Sequence, residues 1–285
     1  MNPLLEVRIS ASYGARQVLR EVCFDLAPGE VLGLAGASGC GKSTCALAVL
    51  GLLGLKGGRA EGTIRFDGMD LLRMPEKQLR QTRGRLISLV PQSPIASLNP
   101  ALRIGTQLRE AWYAHAPSGQ CWREPVRDAF LAVSLPQDPA LLERYPRELS
   151  VGLAQRVLIA MAILHRPKLL IADEATSALD PITQAEILSL FEKLTRLSGA
   201  SMLYVSHDLL SMTRLCHRVA ILHEGAIAEI GPLRQVFFEP QHPYARKLME
   251  ALPAGPHALT AGEENRVAAE RNHLAGLSAN LLLQG

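Results

Sequence analysis

The sequence predicts an α/β protein with a mainly parallel core sheet, an antiparallel β part at the N-terminus and a helical subdomain. Two nearly continuous apolar runs, at residues 30–35 (EVLGLA) and 169–173 (LLIAD), are typical of strands buried on both faces of a parallel sheet. Residues 4–10 (LLEVRIS) and 18–26 (VLREVCFDL) instead alternate apolar and polar side chains, as half-buried strands do. From residue 98 to residue 164 such patterns are missing, and the chain reads as helices interrupted by Pro and Gly.

The remaining elements follow in order along the chain. A Gly-rich turn after residue 35 leads into ALAVLGLL, an apolar segment that we expect to be helical, and residues 201–208 (SMLYVSHD) repeat the buried-strand pattern. After Gly231, the segment QHPYARKLMEALP predicts a short amphipathic helix. From Ala254 the chain is rich in Ala and Gly with scattered charges, and we interpret it as a weakly ordered tail with some helical character.

The composition is that of an ordinary globular chain. With 285 residues, of which 48% are hydrophobic and 20% charged, it is long enough for one large domain or two modest ones. The net charge of +3 is small, and the arginines between residues 73 and 85 are interpreted as a solvated helix face, so we expect no nucleic-acid partner. Five cysteines without CxxC spacing argue against a disulfide framework, a zinc site or an iron–sulfur cluster, and favour a reducing cytoplasm. No apolar run is long enough to span a bilayer, so a membrane role would come through a partner.

The most specific motif is GASGCGKST at residues 36–44, which satisfies G-x-x-x-x-G-K-[ST] between an expected strand and an expected helix. Glycines at this turn let backbone N–H groups point into one anion-binding concavity, and the following helix adds the positive end of its dipole. We expect Lys42 to reach the β- and γ-phosphates of a nucleotide and Ser43 to ligate Mg²⁺. The alternative is a glycine-rich turn without a ligand. The residues predicted to bind ATP here are Gly36, Ala37, Ser38, Gly39, Cys40, Gly41, Lys42, Ser43 and Thr44.

Two adjacent carboxylates end the apolar run at residues 169–173. Asp173 and Glu174 point in different directions, because side chains alternate along a strand. One can therefore hold the magnesium shell while the other faces an attacking water, which is the division of roles that phosphoryl transfer requires. Taken alone, such a pair is more often a turn or a helix cap.

His207 follows the next expected strand. Ligands of open α/β sheets collect at the carboxyl ends of the strands, so this histidine is placed to hydrogen-bond a γ-phosphate or the attacking water. The competing interpretation is a structural hydrogen bond, which is the more common role of a lone histidine.

The motifs and the order in which they follow one another resemble those of one family, the ATP-binding subunits of ABC transporters. The resemblance covers about residues 4–250. GASGCGKS is similar to Walker A, LLIADE to Walker B and SALD to the D-loop, while His207 is similar to the switch histidine. The resemblance implies the P-loop NTPase fold with an ABC-type ATPase domain. The site residues that it implies are Glu174 and His207 for catalysis, Tyr13 stacked on adenine, Gln92 in the Q-loop, Asp180 in the D-loop, and Ser43, Gln92 and Asp173 for the metal.

Two further stretches narrow the resemblance. PIASLNP after Gln92, and QHPYARKLMEALP, are similar to the subfamily that imports peptides, nickel and related metal chelates or opines. The implied ABC ATPase domain covers residues 1–250, with a RecA-like core at about 1–92 and 166–232 and a helical subdomain at about 93–165. Residues 233–285 form a C-terminal extension with the HPY-type helix. Many members carry a C-terminal cysteine cluster, but this chain has no cysteine after Cys216.

The segment RELSVGLAQRV departs from the family's LSGGQ signature. The resemblance implies that Ser150, Val151, Gly152 and Leu153 contact a nucleotide bound by a partner chain. Ser150 keeps the N-cap hydroxyl and Gly152 one close-approach position, but Leu153 cannot reciprocate the cap as a glutamine would. If Val151 needs a positive φ, a strain of about 1–3 kcal/mol would weaken closure of the pair. If Val151 is simply the first helical residue, it costs little, and Leu153 then belongs to an apolar stripe along a packed helix.

The implied protein is an ATPase that uses ATP and Mg²⁺ to power solute import, peripheral to the cytoplasmic face of the inner membrane. Its implied partners are a second ABC ATPase subunit, two transmembrane permease subunits and, indirectly, an extracytoplasmic solute-binding protein. A heterodimer is favoured over a homodimer, because the altered signature would leave one site stronger than the other. The alternative function is a soluble ABC-type ATPase subunit of a non-transport complex, such as phosphonate-cleaving machinery. DNA-repair and chromosome ATPases insert long coiled coils between the P-loop and the signature, and no sustained heptads occur here.

Overall fold

The computed structural model describes residues 2–116 and 119–252. The weakly ordered tail predicted from Ala254 lies outside the described residues. The strands of the described part are β1 (Leu5–Tyr13), β2 (Arg16–Leu26), β3 (Val31–Ala35), β4 (Gly58–Phe66), β5 (Met69–Asp70), β6 (Ile87–Val90), β7 (Leu169–Asp173), β8 (Ser201–Val205), β9 (Arg218–His223) and β10 (Ala226–Pro232). The α-helices are α1 (Lys42–Val49), α2 (Glu76–Thr82), α3 (Pro94–Ser97), α4 (Ile104–Tyr113), α5 (Arg123–Ala132), α6 (Pro139–Glu143), α7 (Val151–Ile163), α8 (Pro181–Ser198), α9 (Leu209–Leu215), α10 (Leu233–Phe238) and α11 (Pro243–Glu250).

An antiparallel sheet with the strand order β2-β1-β4-β5 forms the N-terminal part of the fold. Its central strand β1 pairs with both neighbours, so that Val7 lies opposite Phe24 on one side and Ile64 on the other. These three side chains are buried while the residues that alternate with them are more exposed, as the period-2 pattern predicts. The sequence pattern did not identify β4 and β5, since only Ile64 and Phe66 of β4 are buried.

The six-stranded core sheet has the order β10-β9-β3-β8-β7-β6, and its strands are parallel except for the edge strand β10. Parallel pairing aligns strand ends that are far apart in sequence: Leu34 of β3 lies beside Val205 of β8, and Val205 lies beside Asp173 of β7. The segments that leave these three strands therefore begin at one edge of the sheet. The predicted α/β architecture, with an antiparallel N-terminal part and a mainly parallel core sheet, is confirmed.

Helices pack against the core sheet, and the described residues between 94 and 163 form a helical part beside it. Between residues 94 and 163 the described chain contains helices and no strand, in agreement with the missing strand patterns there. One apolar cluster joins this helical part to a face of the core sheet through side chains such as Val157 of α7 and Phe191 of α8. A second cluster fills the space between the core sheet and the antiparallel sheet, with α1 packed inside it. In residues 2–116 and 119–252 no helix has both the length and the apolar character that crossing a membrane requires.

Candidate active site

The phosphate loop lies between β3 and α1, and two of its glycines cannot carry a side chain. Gly36 has a φ of 151°, and a Cβ added there would lie 2.3 Å from the carbonyl oxygen of Leu222. Gly41 has a φ of 112°, and its Cβ would lie 2.6 Å from Leu19 Cδ2. Since L side chains rarely adopt such φ values and no space exists for a Cβ, the loop's path depends on glycine at both positions.

The ammonium group of Lys42, the first residue of α1, is folded back over the loop. Its Nζ donates to the carbonyl oxygens of Gly36 at 2.9 Å and Ala37 at 3.1 Å, and the residue is only 5% exposed. The Oε1 atom of Glu174 lies 3.5 Å from the same nitrogen. A positive charge is therefore held inside the loop, where the N–H groups at the start of α1 also favour an anion.

Ser43 and Asp173 form a pair of oxygen donors beside the loop. Ser43 Oγ donates to Asp173 Oδ1 at 3.0 Å. Burial raises the pKa of Asp173 and the charge of Glu174 adds to that shift, while the hydrogen bond from Ser43 and the charge of Lys42 act against it. Carboxylate and hydroxyl oxygens are ligands that Mg²⁺ prefers, so this pair could hold a magnesium ion.

Glu174 directly follows β7 in a left-handed backbone conformation with a φ of 51°. Its N–H donates to the carbonyl oxygen of Val205 at 2.8 Å, which extends the pairing of β7 with β8 by one residue. Left-handed backbone is uncommon in residues other than Gly and persists where the surrounding structure holds it in place. The turn directs the carboxylate toward Lys42, and Glu174 is 8% exposed.

His207 lies after β8 and contacts this carboxylate, because its Nδ1 is 2.6 Å from Glu174 Oε2. An ionised carboxylate can only accept, so Nδ1–H donates and the proton on Nδ1 is assigned by the partner. The imidazole is 57% exposed, whereas the carboxylate side chain is 9% exposed. The histidine therefore connects a buried carboxylate to the open side of the site.

A residue whose role sequence reasoning did not assign, Ser177, connects Gln92 to Glu174. Gln92 Nε2 donates to Ser177 Oγ at 3.3 Å, and Ser177 Oγ donates to the carbonyl oxygen of Glu174 at 2.9 Å. Ser177 is the first residue of the SALD segment, so the motif was recognised, but nothing local in the sequence predicts that its hydroxyl lies between these two groups.

A cavity of about 540 Å³ collects most of the predicted nucleotide-binding residues. Tyr13, Cys40 and Asp173 were also predicted to contact ATP or its metal and do not line this cavity. The Tyr13 ring instead lies against Gly58, where an added Cβ would be 2.8 Å from Tyr13 Cε1. The predicted residues that line the cavity are Gly36, Ala37, Ser38, Gly39, Gly41, Lys42, Ser43, Thr44, Gln92, Glu174 and His207, and the apolar residues that were not predicted are Val18, Leu209 and Leu248.

The altered signature forms the N-terminus of α7. Ser150 is the N-cap with a φ of −66°, and its Oγ accepts from the N–H of Leu153 at 3.3 Å. Val151 is the first helical residue, is 41% exposed and is not among the described non-glycine residues with positive φ. The condition for backbone strain at Val151 is therefore not met. Leu153 is partly buried against the apolar cluster that includes Val157, as expected for an apolar stripe.

Gly152 contacts the segment that follows the D-loop in the same chain. A Cβ at Gly152 would lie 2.8 Å from Thr183 Cγ2. Thr183 belongs to the first turn of α8, whose N-cap is Asp180: Asp180 Oδ1 accepts from the N–H groups of Ile182 and Thr183, and Oδ2 accepts from Thr183 Oγ1 at 2.6 Å. These hydrogen bonds hold the pKa of Asp180 below its usual range. None of the four signature residues lines the cavity described above.

Comparisons with known proteins identify the family to which the chain belongs. The ABC transporter family model matches residues 19–177, which are more than half of the chain. The dipeptide transport ATP-binding protein DppD of Bacillus subtilis is 39% identical over 251 residues, covering 87% of this chain and 75% of that protein. The oligopeptide transport ATP-binding protein OppD of Escherichia coli is 40% identical over 251 residues, covering 87% of this chain and 74% of that protein.

Solved structures show the same fold. The cbiO1 protein of Clostridium perfringens, part of the ABC transporter complex cbiONQ, superposes with a TM-score of 0.71 at 26% identity, covering 91% of this chain and 100% of that one. The ATP-binding cassette MJ0796, solved as a dimer in a post-hydrolysis state with ADP and phosphate, superposes with a TM-score of 0.69 at 26% identity, covering 81% of this chain and 99% of that one. The chain therefore belongs to the ABC transporter family and is an ATP-binding, ATP-hydrolysing subunit of that family.

Proposed function

We propose that this subunit powers the import of peptides through a membrane-bound ABC transporter, with Glu174 and His207 carrying out the hydrolytic step. The observation that carries the catalytic assignment is the contact between these two residues beside a complete phosphate loop, with His207 Nδ1 2.6 Å from Glu174 Oε2. Peptide cargo is supported by the relatives, which are named as dipeptide and oligopeptide transport ATP-binding proteins.

The phosphate loop binds the triphosphate of ATP. Its backbone N–H groups and the N-terminus of α1 face the anion, and Lys42 exchanges the carbonyl oxygens of Gly36 and Ala37 for phosphate oxygens. Because Lys42 is nearly buried, the attraction of its ammonium group to phosphate is weakly screened by solvent. Tyr13 remains the proposed partner of the adenine ring.

The oxygen atoms beside the loop fit a magnesium ion. Ser43 Oγ and Asp173 Oδ1 are 3.0 Å apart, and Asp173 is a carboxylate whose burial leaves its charge poorly solvated. We assign Ser43, Asp173 and Gln92 as the residues that would hold Mg²⁺. The chemistry supplied by such an ion is neutralisation of negative charge on the phosphate oxygens.

Glu174 acts as the base for the attacking water. The water oxygen forms a bond to the γ-phosphorus, the bond between that phosphorus and the bridging oxygen of ADP breaks, and a proton of the water passes to the carboxylate. His207 holds Oε2 by donating from Nδ1, and Lys42 lies 3.5 Å from Oε1, so both carboxylate oxygens are oriented by a neighbour. Fixed orientation of the base is what makes the proton transfer effective.

The signature residues act on the nucleotide of a second ABC ATPase subunit. In support, the lining of this chain's own cavity does not include Ser150, Val151, Gly152 or Leu153, and Val151 presents an exposed side chain at the N-terminus of α7. Since Val151 has no positive φ, any weakness of this signature comes from its side chain and from the lack of an amide at Leu153. We propose a heterodimer with one weaker site, attached to two permease subunits at the cytoplasmic face of the membrane and served indirectly by a solute-binding protein.

The test of this function uses the full chain copurified with its partner subunits and reconstituted in liposomes. We expect peptide, added with the solute-binding protein, to stimulate ATP hydrolysis. Glu174→Gln should abolish hydrolysis at this chain's site and leave at most the slower turnover of the partner's site, while the complex still binds ATP, because the amide keeps the shape of the side chain but cannot accept the proton. Glu124→Gln, which changes an exposed glutamate on α5, is the matched control and should hydrolyse ATP normally. Unchanged turnover in Glu174→Gln would contradict the catalytic assignment, and copurification without permease subunits would favour a non-transport complex.

The asymmetry of the two sites has its own test. Val151→Gly together with Leu153→Gln restores the family signature, and we expect faster turnover in the assembled complex because the partner's nucleotide regains a close contact and a hydrogen bond. No change in turnover, with normal assembly, would mean that the altered signature is already fully competent.

A further inference from the structure

The helix α11, the last one in the described part of the chain, reaches the ATP cavity. Its residue Leu248 is one of three apolar lining residues that lie outside the phosphate loop, the other two being Val18 and Leu209. Leu209 begins α9 two residues after His207, and both Leu209 and Leu248 belong to the same apolar cluster. A leucine from a helix that lies outside the recognised nucleotide motifs is therefore part of the wall of the hydrolytic site.

Two contacts hold α11 in this position. The ring of Tyr244 stacks on His223, with the centroids 3.6 Å apart and the planes 18° from parallel. Glu229 of β10 accepts from the backbone N–H groups of Gln241 at 3.0 Å and His242 at 2.8 Å, which fixes the chain just before the helix. On the inner face of α11 itself, Ala245 is buried. These contacts leave α11 docked on the edge of the core sheet.

The anchor of α11 is also connected to the phosphate loop. His223 directly follows Leu222, whose carbonyl oxygen is so close to Gly36 that no Cβ could be added there. The helix thus contacts the strand that supports the first glycine of the loop, and its Leu248 faces the cavity that the loop encloses. The helix is therefore connected to the nucleotide site at two points, through Leu248 in the cavity wall and through Leu222 beside Gly36. These two connections fix the position of α11 relative to the phosphate loop.

We infer that Leu248 is a positioning residue for ATP hydrolysis, which the Tyr244–His223 stack holds in the wall of the cavity, where it limits the access of water to Glu174, the carboxylate that His207 contacts. This inference rests on the catalytic roles proposed for those two residues. Apolar side chains bordering a charged site exclude solvent, which strengthens the interactions that orient the base and leaves fewer waters to compete for it. Nucleotide affinity resides mainly in the phosphate loop, so loss of this wall affects the hydrolytic step.

The experiment compares variants of the full chain in the complex that it forms with its partner subunits. We expect Leu248→Ala to lower kcat by about fivefold to tenfold while KM for ATP changes by less than about twofold. Leu248→Met, which keeps an apolar side chain of similar length, should have a kcat close to that of the wild type. Tyr244→Ala should reproduce the loss of kcat, because the stack that places the helix is gone. Lys247→Ala changes an exposed residue of the same helix and is the control, with wild-type kcat expected.

Several results would overturn the inference: wild-type kcat in Leu248→Ala, a change confined to KM, or a Leu248→Met variant as slow as Leu248→Ala. If Leu248→Ala does not fold, Leu248→Gln keeps the length of the side chain, adds a polar amide to the wall and should show the same loss of kcat. The proposed function is tested separately. Wild-type hydrolysis in Glu174→Gln would refute the base assignment, whereas a strongly impaired Glu174→Gln beside a normal Leu248→Ala would refute only the role of Leu248.

Discussion

Replacing Gly152 by alanine tests whether the signature helix is held against the segment that follows the D-loop. The added Cβ would lie 2.8 Å from Thr183 Cγ2, closer than carbon atoms approach in packed proteins. Thr183→Ser removes that methyl group and keeps the hydroxyl that donates to Asp180 at 2.6 Å. The two substitutions together therefore relieve the contact without removing the cap of α8.

The expected magnitudes follow from this geometry. Forcing one carbon into a filled contact costs about 1–3 kcal/mol, while alanine in place of glycine in a helix contributes about 1 kcal/mol in the opposite direction. Gly152→Ala alone should therefore lower the free energy of unfolding by about 0–2 kcal/mol relative to the wild type. In the Thr183→Ser background the same substitution should be neutral or stabilising, so the coupling between the two positions is about 1–3 kcal/mol.

The assay is thermal unfolding of the wild type, both single variants and the double variant. For 285 residues the entropy of unfolding is about 600 cal/mol/K, so a coupling of about 1–3 kcal/mol corresponds to a difference in Tm of about 2–5 °C. Gly54→Ala, where the added Cβ meets nothing within 4 Å, is the control and should show no dependence on Thr183→Ser. Strictly additive Tm changes for Gly152 and Thr183 would refute the reasoning. We also expect the double variant to regain stability without regaining hydrolysis, because the contact proposed between Gly152 and the partner's nucleotide requires close approach to the backbone.

Three further outcomes are expected. Asp173→Asn should raise the Tm of the nucleotide-free protein and weaken stabilisation by ATP with Mg²⁺. The pKa of this carboxyl is raised in the folded state, so above that pKa the ionised form opposes folding, and the amide does not carry this charge. An unchanged Tm would contradict the burial argument. Ser177→Ala should slow hydrolysis while Ser177→Thr retains most of it, because the hydroxyl joins Gln92 to the carbonyl of Glu174; equal rates in both variants would remove that role. Burial raises the pKa of Cys45 to about 12, so its thiol should resist alkylation at pH 8 in the native protein and react after unfolding, whereas the exposed Cys23 should react in both states. Peptide mapping by mass spectrometry reads this out, and labelling of native Cys45 would contradict it.

Much of the fold could be predicted because the signals are local. The alternating residues of β1 and the continuous apolar runs of β3, β7 and β8 each report their own burial. The strand β4 carries only two buried residues, so its position depends on pairing with β1, which no local pattern records. The domain boundaries at residues 92, 165 and 232 remain predictions.

The candidate site divides in the same way. The phosphate loop, Glu174 and His207 could be predicted because each lies at the end of a recognisable strand, and parallel pairing brings strand ends together. The backbone at Val151 could not be decided from residue type, since the same sequence suits a strained glycine position or an ordinary helix start. The structure shows the second case: α7 begins at Val151 with Ser150 as its N-cap, and Val151 has no positive φ, so no backbone strain arises there.

The sequence by itself determined the family, the phosphate loop and the acidic strand end, because the chemistry of these features is contained in contiguous residues whose spacing is specific. Tertiary structure alone decided which distant groups meet: Gln92 with Ser177, Gly152 with Thr183, and Leu248 with the other residues of the cavity wall. These contacts join segments that are far apart in the chain. Their existence depends on how strands pair and helices pack, and no local pattern of residues encodes that arrangement.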